Sequence, residues 1–314
     1  MTMRFDILTI FPNFFSGPLD HGVLSRAIAT GTVQVATHNL RDFTHDRHRT
    51  VDDRPFGGGE GMVLKPQPIF DCVESLGSTG NIGREENNNN NHNNHIDNKV
   101  TDSNRLITSI APKPTRDLTR QSVILLSAQG KPFTQATAHR LATLDRVVLI
   151  CGRYEGVDER VSELLADEEL SIGDYVLSGG ELAAAVVLDA TVRLLPGVLG
   201  HTDSARYESF GVADVQPGDP EDGKTSDGVP RSTHGAGGIL DYPHYTRPAD
   251  FRGTPIPEVL AAGDHAAIRR WRRQMALAKT LRNRPDLLAR APLTPEDRAF
   301  LATLGYSSAN CALK

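Results

Sequence analysis

The chain has 314 residues, 39% of them hydrophobic, and a formal net charge of −5. That length accommodates two domains, and that charge excludes a polycation binding nucleic acid along its whole length, so a nucleic-acid partner needs a local basic patch. Three cysteines, Cys72, Cys151 and Cys311, widely spaced and without a CxxC pair, argue against a disulfide framework or a zinc site and for a reducing compartment. The N-terminus carries Asp6 and Pro12 where a signal core would have to be apolar, and the longest apolar stretch (182–195) is interrupted by Asp189 and Arg193. A soluble, cytoplasmic protein without membrane spans is expected.

FDILTIF (5–11) predicts a buried strand. GGGEG (57–61) has neither G-x-G-x-x-G spacing nor a GK[ST] ending, so it is no dinucleotide fingerprint and no Walker A loop. Residues 79–121, with REENNNNNHNNHIDNK, cannot bury enough apolar surface to fold and predict a disordered insertion. His92 and His95 within it read as stray residues of a polar tract rather than metal ligands. VILLS (123–127) and VVLIC (147–151) predict strands flanking a helix in TQATAHRLATLD, which is a strand–helix–strand unit and hence a parallel α/β sheet. VDERVSELLA (157–166) predicts an amphipathic helix. In SIGDYVLSGGEL (171–182), Ser178 and Glu181 stand in the S-x-x-E spacing of a capping box before the apolar run LAAAVVLDATVRLL.

Residues 211–237 are rich in Gly, Pro, Asp and Ser and predict a linker. Beyond it, HAAIRRWRRQMALAKTLRNRP (265–285) carries Arg269, Arg270, Arg272, Arg273, Lys279, Arg282 and Arg284 and no acid. Ile268, Trp271, Met275 and Leu281 can line one face of this helix, leaving a basic face suited to phosphate. Thr294 and Pro295 mark the start of a further helix, so the second domain is small and helical.

LLSAQG (125–130), CGRYEGVDER (151–160) and SIGDYVLSGGE (171–181) are three backbone-rich junctions at strand ends. Ligands of open α/β sheets lie outside the carboxyl ends of the strands. Glycines there expose backbone N–H and C=O groups to a flat polar ligand, with Tyr154 and Leu177 as apolar walls. Together with TVDDRPFGGGEGM, PGVLG and DYPHYTRP, these blocks resemble, in order and over nearly the whole chain outside 79–121 and 211–237, the bacterial tRNA (guanine-N1-)-methyltransferase family of the knotted SPOUT class.

The resemblance implies an α/β parallel-sheet domain with a deep trefoil knot (1–200), a flexible linker (201–238) and an all-α tRNA-binding domain (239–314). It implies S-adenosylmethionine as methyl donor, bound by Leu125, Leu126 and Ser127, by Gly152, Tyr154 and Glu155, and by Ser171, Ile172, Gly173, Asp174, Tyr175, Val176 and Leu177, with Gly179 and Gly180 alongside. Arg193 matches the cation that stabilises charge at guanine O6. Glu208 stands in Tyr-Glu-Ser-Phe where the family pattern has the aspartate base, and Asp203 is a weaker substitute. The family acts on the tRNA anticodon stem-loop as a homodimer whose subunits share each site, and magnesium is linked to its activity although no ligand set shows in the sequence. Two alternatives stand beside this reading: a ribose 2′-O-methyltransferase on the same core, and a catalytically weak or inactive RNA-binding paralogue, supported only by Glu208 and the insertions.

Overall fold

The computed structural model describes residues 2–77, 117–200, 208–211 and 237–306. The chain divides into two compact units, Met1–Val198 and Leu199–Lys314. His92, His95, Asp203 and Cys311, with most of the expected insertion and linker, lie outside the described residues.

In the first unit, β1 (Met3–Thr9) leads through a 3-10 turn (Pro12–Phe15), α1 (Ser16–Leu19) and α2 (Gly22–Ala29) to β2 (Val33–Asn39). A short ladder of β3 (Asp52–Asp53) with β4 (Val63–Leu64) precedes α3 (Pro66–Ser75). Then follow β5 (Gln121–Pro132), α4 (Gln135–Leu141), β6 (Arg146–Cys151), α5 (Glu159–Leu164), β7 (Glu168–Ser171) and α6 (Glu181–Val192). The five long strands form a parallel sheet in the order β2-β1-β6-β5-β7.

Helices cover both faces, which is why the strands read as unbroken apolar runs. Phe5, Ile7, Ile124 and Leu149 face the α2 and α6 side, while Leu8, Val123, Leu125 and Ile150 pack with Ile69 and Val73 of α3 and Val161 of α5. Asp6 is a charged exception, fully buried in β1. Burial pushes its carboxyl up, but hydrogen bonds from His38 (2.7 Å), Arg4 (2.9 Å) and Arg146 (2.7 Å) outweigh that and hold it well below the usual carboxylate range.

Three expectations need correction in detail. The expected insertion at 79–121 runs too far: residues 117–120 form a turn in which the Asp117 carboxylate accepts from Thr119 N (3.0 Å), and Gln121 already pairs with Arg146 in the sheet. The apolar run after Arg120 overrides the polar composition before it. Secondly, the second unit is not purely helical. Beside α7 (Glu258–Ala261), α8 (His265–Asn283), α9 (Pro285–Leu288) and α10 (Pro295–Thr303) it holds a two-stranded hairpin, Asp250–Phe251 with Thr254–Pro255. Its turn residues Arg252 (φ 55°) and Gly253 (φ 79°) both take positive φ, the geometry that suits a two-residue hairpin loop.

Thirdly, the basic α8 is less free than its sequence implies. Its buried stripe is Ala276, Leu277 and Thr280, with Trp271, Met275 and Leu281 at the edges, packed with Ile239, Tyr242, Leu288 and Leu301. Arg273 has a counter-charge after all, Asp297 of α10 at 2.8 Å, and Arg272 lies 4.8 Å over the Tyr242 ring. The expected linker is also anchored where it is described: Phe210 N donates to Ile239 O (2.9 Å) and Gly238 N to Gly211 O (3.0 Å).

Candidate functional site at the strand ends

Three chain segments meet at the carboxyl ends of β5, β6 and β7. The first is a bulge in β5: Leu126 and Lys131 both register against Leu170 of β7, so Ser127 to Gly130 are displaced outward, braced by Gln129 N on Ser127 Oγ (3.2 Å). The second follows β6. There Tyr154 adopts the left-handed φ of 61°, a conformation a bulky residue takes only when its surroundings impose it. The surroundings are β4: Glu155 N donates to Met62 O, Leu64 N to Gly156 O, and Asp158 N to Leu64 O, each at 3.0 Å.

The third segment returns from β7 across the second. Ser171 Oγ donates to Gly173 O (3.0 Å), Tyr175 N to Gly173 O (2.9 Å) and Tyr175 Oη to Ile172 O (3.2 Å), folding 171–175 into a tight coil. Arg153 and Gly179 then form an antiparallel bridge, and Gly180 N donates to Gly152 O (2.8 Å). A Cβ on Gly180 would lie 2.8 Å from Cys151 Cα, so backbone forbids a side chain there, whereas one on Gly179 would lie 2.5 Å from Arg153 Nε and would force the Arg153 and Glu181 side chains to move.

The segments enclose a cavity of about 350 Å³. Fourteen of the fifteen residues that the sequence nominates for cofactor binding line it, and only Asp174 does not. Residues that the sequence reading passed over line it too: Gln129, Arg153, Glu159, Ser162 and Glu169 among them. Arg153 sits between two nominated residues and was legible as a cation in a ligand loop. Glu169 lies one residue inside a strand end, where nothing in its spacing sets it apart.

The expected capping box at the head of α6 does not form. The N-cap is Gly180, no side chain caps the helix, and Glu181 is buried within the fold. Its carboxylate accepts from Thr9 Oγ1 of β1 (2.8 Å) and stands 3.5 Å from Arg153 Nε. Cys151 beneath it is no thiolate nucleophile, because burial, and next the charge of Glu181, push its thiol well up.

Neither of the two residues nominated for chemistry is among the residues that line the cavity. Arg193 is the half-buried C-cap of α6 in the first unit. Glu208 is half-buried in the second unit, in the turn whose Gly211 N donates to Glu208 O (3.0 Å). Among the described residues, no group of three His, Cys, Asp or Glu side chains is placed to hold a metal, and no helix is long and apolar enough to cross a membrane.

A parallel sheet with a glycine-walled, backbone-rich cavity at its strand ends defines an α/β protein of the class whose ligand sites lie at that edge of the sheet. The sequence model described as tRNA (Guanine-1)-methyltransferase TrmD matches residues 3–95 and 102–290. Similar curated proteins include a tRNA (guanine-N(1)-)-methyltransferase of Koribacter versatilis, 53% identical over 302 residues (96% of this chain, 98% of that protein). Those of Geobacter metallireducens (42%; 96% and 98%) and Moorella thermoacetica (44%; 95% and 95%) carry the same name. The chain belongs to the tRNA (guanine-1)-methyltransferase family.

Proposed function

We propose that the chain transfers a methyl group from S-adenosylmethionine to N1 of the guanosine 3′ of the tRNA anticodon. The observation that carries this reading is the convergence of fourteen nominated cofactor residues on one cavity. The residues fit the donor: a cavity of about 350 Å³ falls in the size range of cofactor sites, backbone groups of Gly152, Gly173 and Gly179 can pair with a purine and ribose, and Leu177 and Tyr175 offer apolar contact. When bound, S-adenosylmethionine supplies a methyl on a sulfonium, which departs as a neutral thioether.

The protein's task is then the guanine. N1 bears a proton and is a poor nucleophile until that proton leaves. The Glu208 carboxylate would take that proton as N1 accepts the methyl, while the Arg193 guanidinium would face the negative charge that gathers on O6. Glutamate performs the aspartate's role with one more methylene of reach. The family resemblance links magnesium to the activity, and no role above assigns it a ligand.

The same reading makes 171–182 the threaded segment of a trefoil knot. The close passage of Gly180 against the Cys151 backbone and of Gly130 against Leu170 N (2.6 Å to its added Cβ) supports it. Residues 1–200 then form the knotted domain, 201–238 the linker and 239–314 the domain that grips the anticodon arm through α8, whose exposed Arg270 and Arg282 neighbourhood suits phosphates. The protein works as a homodimer. Leu182 and Val186, one turn apart on α6, are about half exposed, and Phe11 and Phe14 add apolar surface beside them, as an interface requires. A tRNA substrate sets the reaction in the cytoplasm.

The relatives' names favour an enzyme over an inactive paralogue. The test is methyl transfer from labelled S-adenosylmethionine to two transcripts, one with guanosine after the anticodon and one with adenosine there. Label on the first alone is expected. Label on neither, with S-adenosylmethionine still bound, would restore the paralogue.

A further inference from the structure

Around the cavity runs a chain of contacts that the methyl-transfer scheme does not use. Thr9 ends β1, and its hydroxyl donates to Glu181 Oε1 (2.8 Å) and accepts from Phe11 N (2.9 Å). Glu181 Oε2 stands 3.5 Å from Arg153 Nε. Arg153 in turn donates from Nη1 to Ser178 O (2.8 Å) and rests 4.5 Å over the Phe11 ring. Thr9 is fully buried and Glu181 nearly so, whereas Arg153 lines the cavity.

These contacts do two things. They tie the second and third cavity segments to the end of β1, a strand that contributes nothing to the lining itself. They also bear on the charge of the cavity wall, where Arg153 is the cation that stands among the carboxylates Glu155, Glu159 and Glu169. A guanidinium facing a ligand pocket repels a cationic ligand, and at short range in a partly dehydrated site that repulsion is appreciable. The Glu181 carboxylate behind it cancels most of the field. Glu181 is the wrong residue for a helix cap, being buried away from the N-cap amide, and the right one for this task.

We infer that Glu181, held by Thr9, is a positioning residue that neutralises and orients Arg153 so that the cavity accepts a sulfonium cation. The inference rests on the proposed use of the cavity for S-adenosylmethionine. It makes a prediction that a merely structural role does not: loss of the carboxylate weakens the cationic donor more than its neutral thioether product. S-adenosylmethionine and S-adenosylhomocysteine differ there in one methyl and one positive charge.

The test is calorimetric titration of the full chain with both ligands. In E181Q the affinity ratio of S-adenosylmethionine to S-adenosylhomocysteine should fall on the order of threefold to tenfold relative to wild type, the size of a partly screened charge interaction. In R153Q, which leaves Glu181 uncompensated, the ratio should move the opposite way, and in R153Q/E181Q it should return towards wild type. Should E181Q not fold, R153Q alone decides the sign. An unchanged ratio in folded E181Q or R153Q, with both ligands weakened alike, overturns the charge role. Wild-type protein binding neither ligand removes the donor reading itself, and this inference with it.

Discussion

Two helices of this protein begin with the same kind of sequence and use it for different ends. At α10, Thr294 accepts from Asp297 N (3.1 Å) and Asp297 Oδ2 accepts from Thr294 N (3.1 Å), a complete capping box. At α6, Ser178 and Glu181 have the equivalent spacing, yet the helix starts at Gly180 without a side-chain cap and Glu181 turns to Thr9 and Arg153. The first acid serves its own helix and core. The second serves the cavity, and the orphan amides at the head of a 12-residue helix are the cost. A local motif is honoured only where no tertiary partner outbids it.

Substitutions sharpen that contrast. The largest effect is expected from R273A: Arg273 and Asp297 are both nearly buried, and removing one partner strands the other, for a loss of about 3–5 kcal/mol that calorimetric melting would read. A melt unchanged by R273A would mean that the cap, not the pair, holds Asp297. Next comes G180A. Gly180 has a φ of −77°, open to any residue, so only the 2.8 Å approach to Cys151 Cα forbids a side chain. Overpacking costs about 1–3 kcal/mol, and affinity for S-adenosylhomocysteine should drop with it. T294A should cost about 1 kcal/mol through the lost cap. S178A should change stability by less than about 0.5 kcal/mol, because the exposed Ser178 caps nothing. Equal losses for T294A and S178A would erase the distinction between the two helix starts.

A third buried carboxylate gives a control that is read by changing pH. Asp6 serves neither a helix nor the cavity, and its hydrogen bonds hold its pKa below that of the unfolded chain. Its stabilising contribution is therefore complete above about pH 4, the unfolded carboxyl value, and declines as pH falls below it. Acid titration of wild type and D6N should show the steeper loss in wild type, with D6N less stable at neutral pH and flatter below pH 4. Parallel curves would contradict that assignment.

The parallel sheet was legible because each strand is buried on both faces and so spells an unbroken apolar run, as in VILLS and VVLIC. The cavity segments were legible because their glycines stand where backbone must approach backbone, as Gly180 meets Cys151. What the sequence concealed depends on distant partners. The fate of Glu181 is set by Thr9, 172 positions away, and that of Arg273 by Asp297, 24 positions away. Neither separation leaves a trace in local spacing. Composition also blurred one boundary: the polar tract hides how soon β5 begins, at Gln121.

The most direct test of the account is single-turnover methyl transfer to the guanosine transcript, followed by digestion to nucleosides. Wild type should yield 1-methylguanosine alone, and E208Q should do so about 100- to 10,000-fold more slowly, the range expected for removal of a general base, with donor affinity unchanged. Label on a ribose oxygen or another base position, or an undiminished rate in E208Q, would contradict it.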